Sequence, residues 1–241
     1  MEPSMRTFAI TGTDSGLGKL IVEALEEIYP NRTYKLNIIK IGTEFPLNTS
    51  KGVDDAISKI RGRSSIVDCL INCAGTTYMN FIEQIPEDMW DAVMDSNAKS
   101  IFMMTKGMIN AKLFASPATI LNIVSTASHY PMTHSLAYNA SKGAAHIMTL
   151  QMARELKKTH NLTVFGVSPN KMHSTRVTEY VDARVLELRG WTSEQANAYQ
   201  AAAIPSGEQT DPKQVAEFIA FLLSKRERHK YLAGCVIPYG G

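Results

Sequence analysis

The sequence predicts a single-domain α/β fold, in which one doubly wound parallel sheet of six to seven strands carries helices on both faces. Short apolar runs rich in β-branched residues alternate with longer stretches of helical period. Because these runs are apolar throughout, both faces of each strand must be covered, which is typical of parallel sheets. The chain of 241 residues has no evident linker and fits one such domain, 1–241.

The predicted strands and helices alternate along the chain. The strands are predicted at 7–11, 34–41, 66–72, 119–124, 162–167 and 235–238. The helices are predicted at 16–28, 52–61, 87–115, 137–158, 176–203 and 211–224. Sheets of this class bind ligands at the carboxyl ends of their strands, so the residues that follow each strand are the candidates for a functional site.

Composition and charge are those of an ordinary globular protein. Hydrophobic residues make up 44% and charged residues 20% of the chain, and the formal net charge is +2. The well-mixed charges show no nucleic-acid footprint and no polybasic patch for a membrane. The apolar runs are too short to span a bilayer, and the N-terminus does not resemble an export signal. We therefore expect a cytoplasmic protein without nucleic-acid or membrane partners.

The cysteines agree with that expectation. Cys69, Cys73 and Cys235 are an odd number without ligand-like companions, so we expect reduced, mostly buried thiols. Neither a disulfide nor a metal site is expected.

A glycine-rich loop links the first predicted strand to the first predicted helix. It reads Thr11-Gly12-Thr13-Asp14-Ser15-Gly16-Leu17-Gly18. The glycines let the backbone turn tightly and approach a pyrophosphate, whose charge the N–H groups at the start of the helix favour. The spacing is Gly-x3-Gly-x-Gly and departs from the common Gly-x-Gly-x2-Gly. A turn that only connects strand to helix is the alternative, and the flanking elements argue against it.

Tyr138 and Lys142 lie four residues apart on a predicted helix, which places both side chains on one face. A free tyrosine has a pKa of about 10 and is a poor proton shuttle near neutrality. A nearby ammonium favours the phenolate and lowers that pKa, and the same lysine can donate to a ribose hydroxyl. An accidental pair on a solvated face is the alternative.

Further small and polar residues stand where a site on such a sheet would lie. Ser125 ends a predicted strand and can hydrogen-bond a substrate oxygen, although a plain turn serine is the alternative. Asn97 is a misfit inside a long predicted helix and marks either a functional kink or a surface position. Asn72 can tie neighbouring strand ends together, and Ala74 and Gly75 after it leave room for a ligand.

Together these motifs resemble the short-chain dehydrogenase/reductase family over nearly the whole chain. The loop 11–18 matches the family's Thr-Gly-x3-Gly-x-Gly, and 72–75 is similar to its Asn-Asn-Ala-Gly. The segment 234–241 resembles the family's last strand and terminal Gly-Gly. Four residues fall on its catalytic tetrad in order and at the expected spacings: Asn97, Ser125, Tyr138 and Lys142.

The resemblance implies a Rossmann-like fold and an NAD(P)-dependent oxidoreductase that moves a hydride between a nicotinamide cofactor and a carbonyl or alcohol substrate. Tyr138 would be the acid/base, and Ser125 would orient the substrate oxygen. Lys142 would lower the pKa of Tyr138 and hold the nicotinamide ribose, while Asn97 would position a water. The cofactor-binding residues would be Gly12, Asp14, Ser15, Gly16, Leu17, Gly18, Asn72, Ala74, Gly75, Tyr138, Lys142, Met172 and Ser174.

Two segments depart from the family's pattern. Where the family has Pro-Gly after its sixth strand, this chain has Pro169 and Asn170, and asparagine tolerates the positive φ of such a turn. Met172 would then offer its backbone to the carboxamide, and Ser174 would replace the usual threonine. The segment 41–54 is too short for the family's helix and third strand, so we expect that strand to be reduced to 44–47.

The same short segment governs the choice of cofactor. An acidic residue that ends the second strand would bind the ribose diol and select NAD. No carboxylate follows this strand before Glu44, and Lys40 or Thr43 would accommodate a 2′-phosphate, unless Lys40 points into solvent. We expect NADP or NAD as cofactor, with a small preference for NADP.

The remaining expectations concern access and assembly. Residues 173–205 should form a substrate lid whose apolar residues either contact substrate or pack in the core, and His129, Tyr130 and His134 should line the mouth of the site. The resemblance implies a homodimer or homotetramer, formed through apolar helix faces that include Ala145, Met148, Met152 and Leu156. The alternative function is a nucleotide-binding sensor or scaffold that kept the fold and lost turnover.

Overall fold

The computed structural model describes residues 5–29, 35–204 and 206–240, and within them it confirms the predicted fold class. Residues 34, 205 and 241, at the edges of predicted elements, lie outside the described residues. The strands are β1 (Met5–Thr11), β2 (Lys35–Ile41), β3 (Val67–Asn72), β4 (Phe114–Ile123), β5 (Leu162–Pro169) and β6 (Val236–Tyr239). The helices are α1 (Gly16–Ile28), α2 (Ser50–Arg63), α3 (Glu87–Met94), α4 (Ser100–Asn110), α5 (Leu136–His160), α6 (Arg176–Arg189), α7 (Ser193–Ala203) and α8 (Pro212–Ser224).

The strands form one parallel sheet in the order β2-β1-β3-β4-β5-β6. The chain leaves β1 for β2 on one side and returns to β3 on the other side. The direction of winding therefore reverses between β1 and β3, and a crevice opens there at the carboxyl ends of the strands. Thr11 stands opposite Ile41, and the Gly12 N–H donates to the Ile41 carbonyl at 2.8 Å, so the glycine loop emerges beside the end of β2.

The sheet separates two hydrophobic cores. In β1, Phe8 and Ile10 face one core, which also contains buried residues of α1 and α8. Ala9 faces the other core, with buried residues of α2 and α4. This alternation is the period of two that strand geometry imposes, and it explains why the strands are apolar on both faces.

Two predicted helices are interrupted. The helix predicted at 87–115 consists of α3 and α4, joined by a π-helical turn over Asp95–Lys99. Its predicted end is wrong, since α4 ends at Asn110 and Phe114 and Ala115 belong to β4. The helix predicted at 176–203 ends at Gly190, which adopts φ +63°, and α7 follows. A left-handed glycine directly after a helix is a common helix end, so this break has a local cause in the sequence.

The strand expected at 44–47 is wrong. The backbone between β2 and α2 forms turns, so β2 is an edge strand of the described sheet. The apolar residues that suggested a strand anchor the turn instead, because Phe45 packs against the second core and Leu47 is buried in it. Thr49 then caps α2 by accepting a hydrogen bond from the Gly52 N–H at 3.1 Å.

The apolar face assigned to oligomer contacts on α5 is partly covered by the chain itself, while Met148, Met152 and Leu156 stay half-buried. Ala145 is fully buried, and Met152 and Leu156 pack against the second core. The helical period alone does not distinguish a face that packs on the sheet from one that packs on a second copy. No helix in the described ranges is long and apolar enough to cross a membrane.

Candidate active site

The glycine loop and the segment after β3 are in direct backbone contact. Gly12 has φ +72°, and a Cβ on it would lie 2.7 Å from the Ala74 Cα, so only glycine fits there. A Cβ on Gly18 would overlap the Gly12 carbonyl, so α1 packs tightly on the loop. Thr11 holds the two segments together, because its hydroxyl accepts hydrogen bonds from the N–H groups of Cys73 at 3.0 Å and Ala74 at 3.1 Å.

The start of α1 can hold an anion. Gly16 is the first residue of α1, and the space beside its Cα is open within 4 Å. Ser15 stands at the N-cap without a side-chain capping bond, so its hydroxyl does not occupy the first-turn N–H groups. The Leu17 side chain packs into the first core, which leaves its backbone for this role. These residues fit the pyrophosphate of a dinucleotide.

Asn72 ties strand ends together, so its side chain does not line the crevice between β1 and β3. Its amide nitrogen donates to Asn122 Oδ1 on β4 at 2.9 Å. The Asn122 amide donates in turn to the Thr149 hydroxyl on α5 at 3.0 Å. This buried chain fixes β3, β4 and α5 relative to one another, and Asn122 and Thr149 were missed by the sequence analysis.

Asn97 lies in the π-helical turn and is fully buried, which excludes a surface position. Its carbonyl oxygen accepts from the Thr76 N–H at 2.8 Å. Its amide nitrogen donates to the Thr76 carbonyl and to the Ser141 hydroxyl, both at 2.8 Å. Asn97 therefore joins the segment after β3 to α5. Gly75 lies beside both Asn97 and Lys142, since a Cβ on it would be 2.9 Å from the Asn97 oxygen and 3.7 Å from the Lys142 nitrogen.

Tyr138, Lys142 and Ser125 come together at the carboxyl end of β4. The Lys142 ammonium nitrogen lies 5.9 Å from the centre of the Tyr138 ring and donates to the Ile123 carbonyl at 2.9 Å. Ser125, whose hydroxyl accepts from the Ala127 N–H at 3.2 Å, lies near enough to the Tyr138 phenol to lower its pKa. Lys142 is only 6% exposed, so the pair does not stand on a solvated face.

Burial sets the acidity of this cluster. It raises the pKa of the Tyr138 phenol above its ordinary value, and the neighbouring Ser125 hydroxyl offsets this only in part. The expected net lowering of that pKa by Lys142 is therefore wrong for this geometry. Burial also lowers the pKa of Lys142 from its ordinary 10.5 to about 8, so its ammonium loses its charge as the pH rises through about 8.

Asn170 does not use the positive φ expected of it. Among the described residues of this turn, the positive φ (+52°) falls on Ser174, which is exposed. The Asn170 amide donates to the Gly240 carbonyl at 2.6 Å and accepts from the Thr210 hydroxyl at 2.5 Å. Asparagine thus clamps the end of β6, and Met172, whose carbonyl accepts from the Thr178 hydroxyl, is held beside Thr210.

Asp14 reaches away from α1 to the end of β2. Its carboxylate accepts from the N–H of Thr43 at 2.6 Å and from the Thr43 hydroxyl at 2.7 Å. These two hydrogen bonds hold the pKa of Asp14 below its usual value. Lys40 is exposed on β2. Thr43 therefore donates its N–H and its hydroxyl to a carboxylate of this chain, which leaves neither donor for a phosphate.

The segment that was predicted to form a lid packs against the loop that follows β3. Tyr180 accepts a hydrogen bond from the Met79 N–H at 3.3 Å, and Arg184 donates to the Met79 carbonyl at 3.2 Å. Val185 and Trp191 join Met79 in a small third core. An open groove of about 670 Å³ lies beside these contacts, lined by Tyr78, Asn80, Phe81, Gln84, Tyr180, Arg184, Glu187 and Leu188.

Of the residues expected at the mouth, His129 and Tyr130 are exposed and His134 is half-buried. Tyr130 is 70% exposed, whereas the His129 ring packs edge-on against His146 with centroids 4.3 Å apart. His134 packs edge-on against Phe81 with centroids 4.8 Å apart, next to the groove.

The parallel sheet, the glycine loop and the cluster of Tyr138, Lys142 and Ser125 agree with what comparison with known proteins finds. A family model described as short chain dehydrogenase matches residues 36–185, and the chain belongs to this family. An NAD-dependent glycerol dehydrogenase of Listeria innocua is 26% identical over 235 residues, which cover 89% of this chain and 85% of the relative. A 3-oxoacyl-[acyl-carrier-protein] reductase of Vibrio cholerae is 26% identical, covering 96% of this chain and 94% of the relative.

Solved structures agree on the fold. A short chain dehydrogenase family protein from Francisella tularensis superposes with a TM-score of 0.83 at 24% identity, covering 98% of this chain and 97% of the other. At this identity the likeness establishes the fold alone.

Proposed function

We propose that this protein is an NAD(P)-dependent oxidoreductase that interconverts a carbonyl and an alcohol, with Tyr138 as the proton-transferring acid/base. The observation that carries the proposal is the convergence of Tyr138, Ser125 and Lys142 at the carboxyl end of β4, in the same sheet edge as the glycine loop. Membership of the short-chain dehydrogenase family supports it. When bound, the dinucleotide supplies or accepts the hydride.

Each residue of the cluster has a separate task. The raised pKa keeps the Tyr138 phenol protonated at neutral pH, so it can give a proton to a carbonyl oxygen during reduction. The Ser125 hydroxyl, which lies beside that phenol, orients the same oxygen. Lys142, anchored on the Ile123 carbonyl, would hold the nicotinamide ribose, and Asn97 positions the backbone of Thr76 beside it.

The function is tested directly on the full chain. NADH and NADPH are titrated while the melting temperature and the intrinsic fluorescence are recorded, and a panel of ketones, aldehydes, ketoacids and keto sugars is then offered with the reduced dinucleotide. The proposal expects binding of at least one dinucleotide and its oxidation by part of the panel. Binding without turnover would favour the sensor or scaffold, and absence of binding would reject both.

The buried amine of Lys142 should leave a signature in the pH dependence of stability. Its pKa is about 8 in the folded protein, against an ordinary value of 10.5. Below pH 8 the charged amine destabilises the fold, and this destabilisation disappears as the pH rises from about 8 towards 10.5, because the unfolded chain then binds more protons. We expect Lys142→Met to remove this rise in the unfolding free energy, measured in urea between pH 7.5 and 9.5. If the unfolding free energy rose equally with pH in the wild type and in Lys142→Met, the lowered pKa of Lys142 would be contradicted.

The lid contact should control substrate affinity rather than chemistry. We propose that residues 173–205 cover the site as a lid, held to the loop after β3 through Arg184 and Met79. Arg184→Ala removes a hydrogen bond from a charged donor, worth about 1.5 kcal/mol, so KM should rise roughly tenfold with kcat little changed. Arg176→Ala, on the exposed first turn of α6, is the control. A fall in kcat without a change in KM would refute the lid role.

A further inference from the structure

The end of β2 is the place where sheets of this class recognise the adenosine ribose of a dinucleotide. β2 itself ends without a carboxylate, since Ile41 is followed by Gly42 and Thr43. The structure brings a carboxylate there from a different element. Asp14, in the glycine loop, crosses to the end of β2 and is fixed through one of its oxygens by two hydrogen bonds from Thr43.

The other Asp14 oxygen lies over the backbone of Gly42. A Cβ on Gly42 would overlap Asp14 Oδ1 and Glu44 Oε2, so glycine at this position makes room for both carboxylates. Glu44 is paired with the Lys59 ammonium at 3.1 Å through its second oxygen. Lys59 also acts electrostatically on Asp14. Two carboxylates therefore share one facing ammonium from α2 at the edge of the groove.

This charge balance discriminates between the two dinucleotides. A ribose 2′-hydroxyl can donate to a carboxylate oxygen, whereas a 2′-phosphate carries about two negative charges and is repelled at hydrogen-bonding distance. Thr43 offers no compensation, because its N–H and hydroxyl both donate to Asp14. Lys40 stands exposed on the strand, outside this arrangement of contacts.

We infer that Asp14 determines cofactor choice and that the protein prefers NAD(H) to NADP(H). The inference rests on the proposed function, since it assigns a residue to the dinucleotide groove of the same site. It reverses the small preference for NADP expected from the sequence. That preference was based on the lack of an acidic residue at the end of β2. The acidic residue, Asp14, instead belongs to the loop that follows β1.

Calorimetric titration of the full chain with NAD⁺ and NADP⁺ tests the inference without turnover. The wild type is expected to bind NAD⁺ at least tenfold more tightly, the order of effect of one like charge near the groove surface. Asp14→Asn keeps the size of the side chain and an acceptor for Thr43 but removes the charge. It should reduce the NAD⁺ preference about tenfold, mainly through tighter binding of NADP⁺. Glu217→Gln, an exposed carboxylate on α8 paired with Lys213, changes the net charge equally and should leave the ratio unchanged.

The outcomes separate the inference from the function beneath it. Binding of neither dinucleotide by the wild type would reject the proposed function. Binding of NADP⁺ as tightly as NAD⁺, or an unchanged ratio in Asp14→Asn, would overturn the inference and leave the proposed function standing. Asp14 is exposed, so its variants should fold. Asp14→Ser is the second variant, and 5′-AMP against 2′,5′-ADP repeats the comparison with fragments that differ only by the 2′-phosphate.

Discussion

Tyr138→Phe is expected to lower kcat by a factor of about 10² to 10⁴ while dinucleotide affinity stays close to that of the wild type. The substitution removes one oxygen and leaves the ring in place 5.9 Å from the Lys142 nitrogen, so the groove keeps its shape. What is lost is the proton donor, because the substitution removes the phenol hydroxyl that would transfer the proton. The measurements are kcat with the best substrate of the panel and the Kd of the dinucleotide.

Tyr231→Phe is the matched control for this prediction. Tyr231 is 74% exposed and packs with Lys230, whose nitrogen lies 4.9 Å from the ring centre, so it repeats a lysine–tyrosine contact away from the strand ends. Its kcat should equal that of the wild type. If Tyr138→Phe kept more than a tenth of the wild-type kcat, another group would have to deliver the proton. Loss of dinucleotide binding would instead indicate damage to the groove.

The raised pKa of Tyr138 gives the same experiment a direction. With the phenol protonated at neutral pH, reduction of a carbonyl has its proton in place, whereas oxidation of an alcohol first needs the phenolate. The wild type should therefore oxidise alcohols faster as the pH rises, up to the pKa of the phenol. Tyr138→Phe should lose this rise along with its turnover.

The strands and helices were predictable because their signals are local. Apolar runs and helical period predicted the strands and α-helices of the described residues, apart from the interruptions at Asp95–Lys99 and Gly190. They did not predict the short 3-10 helices at Ile82–Gln84, Thr126–Ser128 and Arg226–Leu232. A π-helical turn keeps the helical pattern of the sequence, so only the misfit of Asn97 pointed to it. The segment 44–47 misled because the alternating apolar residues Phe45 and Leu47 pack a turn as well as they would a strand.

The partners of the site residues were not predictable in the same way. Asp14 and Thr43 are 29 residues apart, Asn97 and Ser141 are 44 apart, and Asn170 and Gly240 are 70 apart. Such hydrogen bonds depend on sheet order and on the register of distant elements, which a sequence pattern does not contain. The predicted lowering of the pKa of Tyr138 failed for a related reason. The helical spacing gives the distance between Tyr138 and Lys142 but not how far burial raises the pKa of the phenol.

Gly12→Ala should be the most damaging single-methyl change near the groove. The position has φ +72°, which costs an L-residue roughly 1 to 2 kcal/mol, and the added Cβ would lie 2.7 Å from the Ala74 Cα. Since the neighbour is backbone, the loop or the segment 73–75 must shift. We expect the unfolding free energy to fall by about 2 to 4 kcal/mol and dinucleotide binding to be lost. Urea denaturation and calorimetric titration measure the two effects.

Gly62→Ala makes the same chemical change without those constraints. Gly62 lies in α2, its φ is not positive, and nothing lies within 4 Å of the position of an added Cβ. Because alanine favours a helix over glycine, this variant should be neutral or more stable by about 0.5 to 1 kcal/mol, with unchanged dinucleotide binding. Equal behaviour of the two variants would mean that the glycine loop does not touch the segment after β3. The proposed dinucleotide groove would then have to be built differently, because the glycine loop and the segment after β3 meet at that contact.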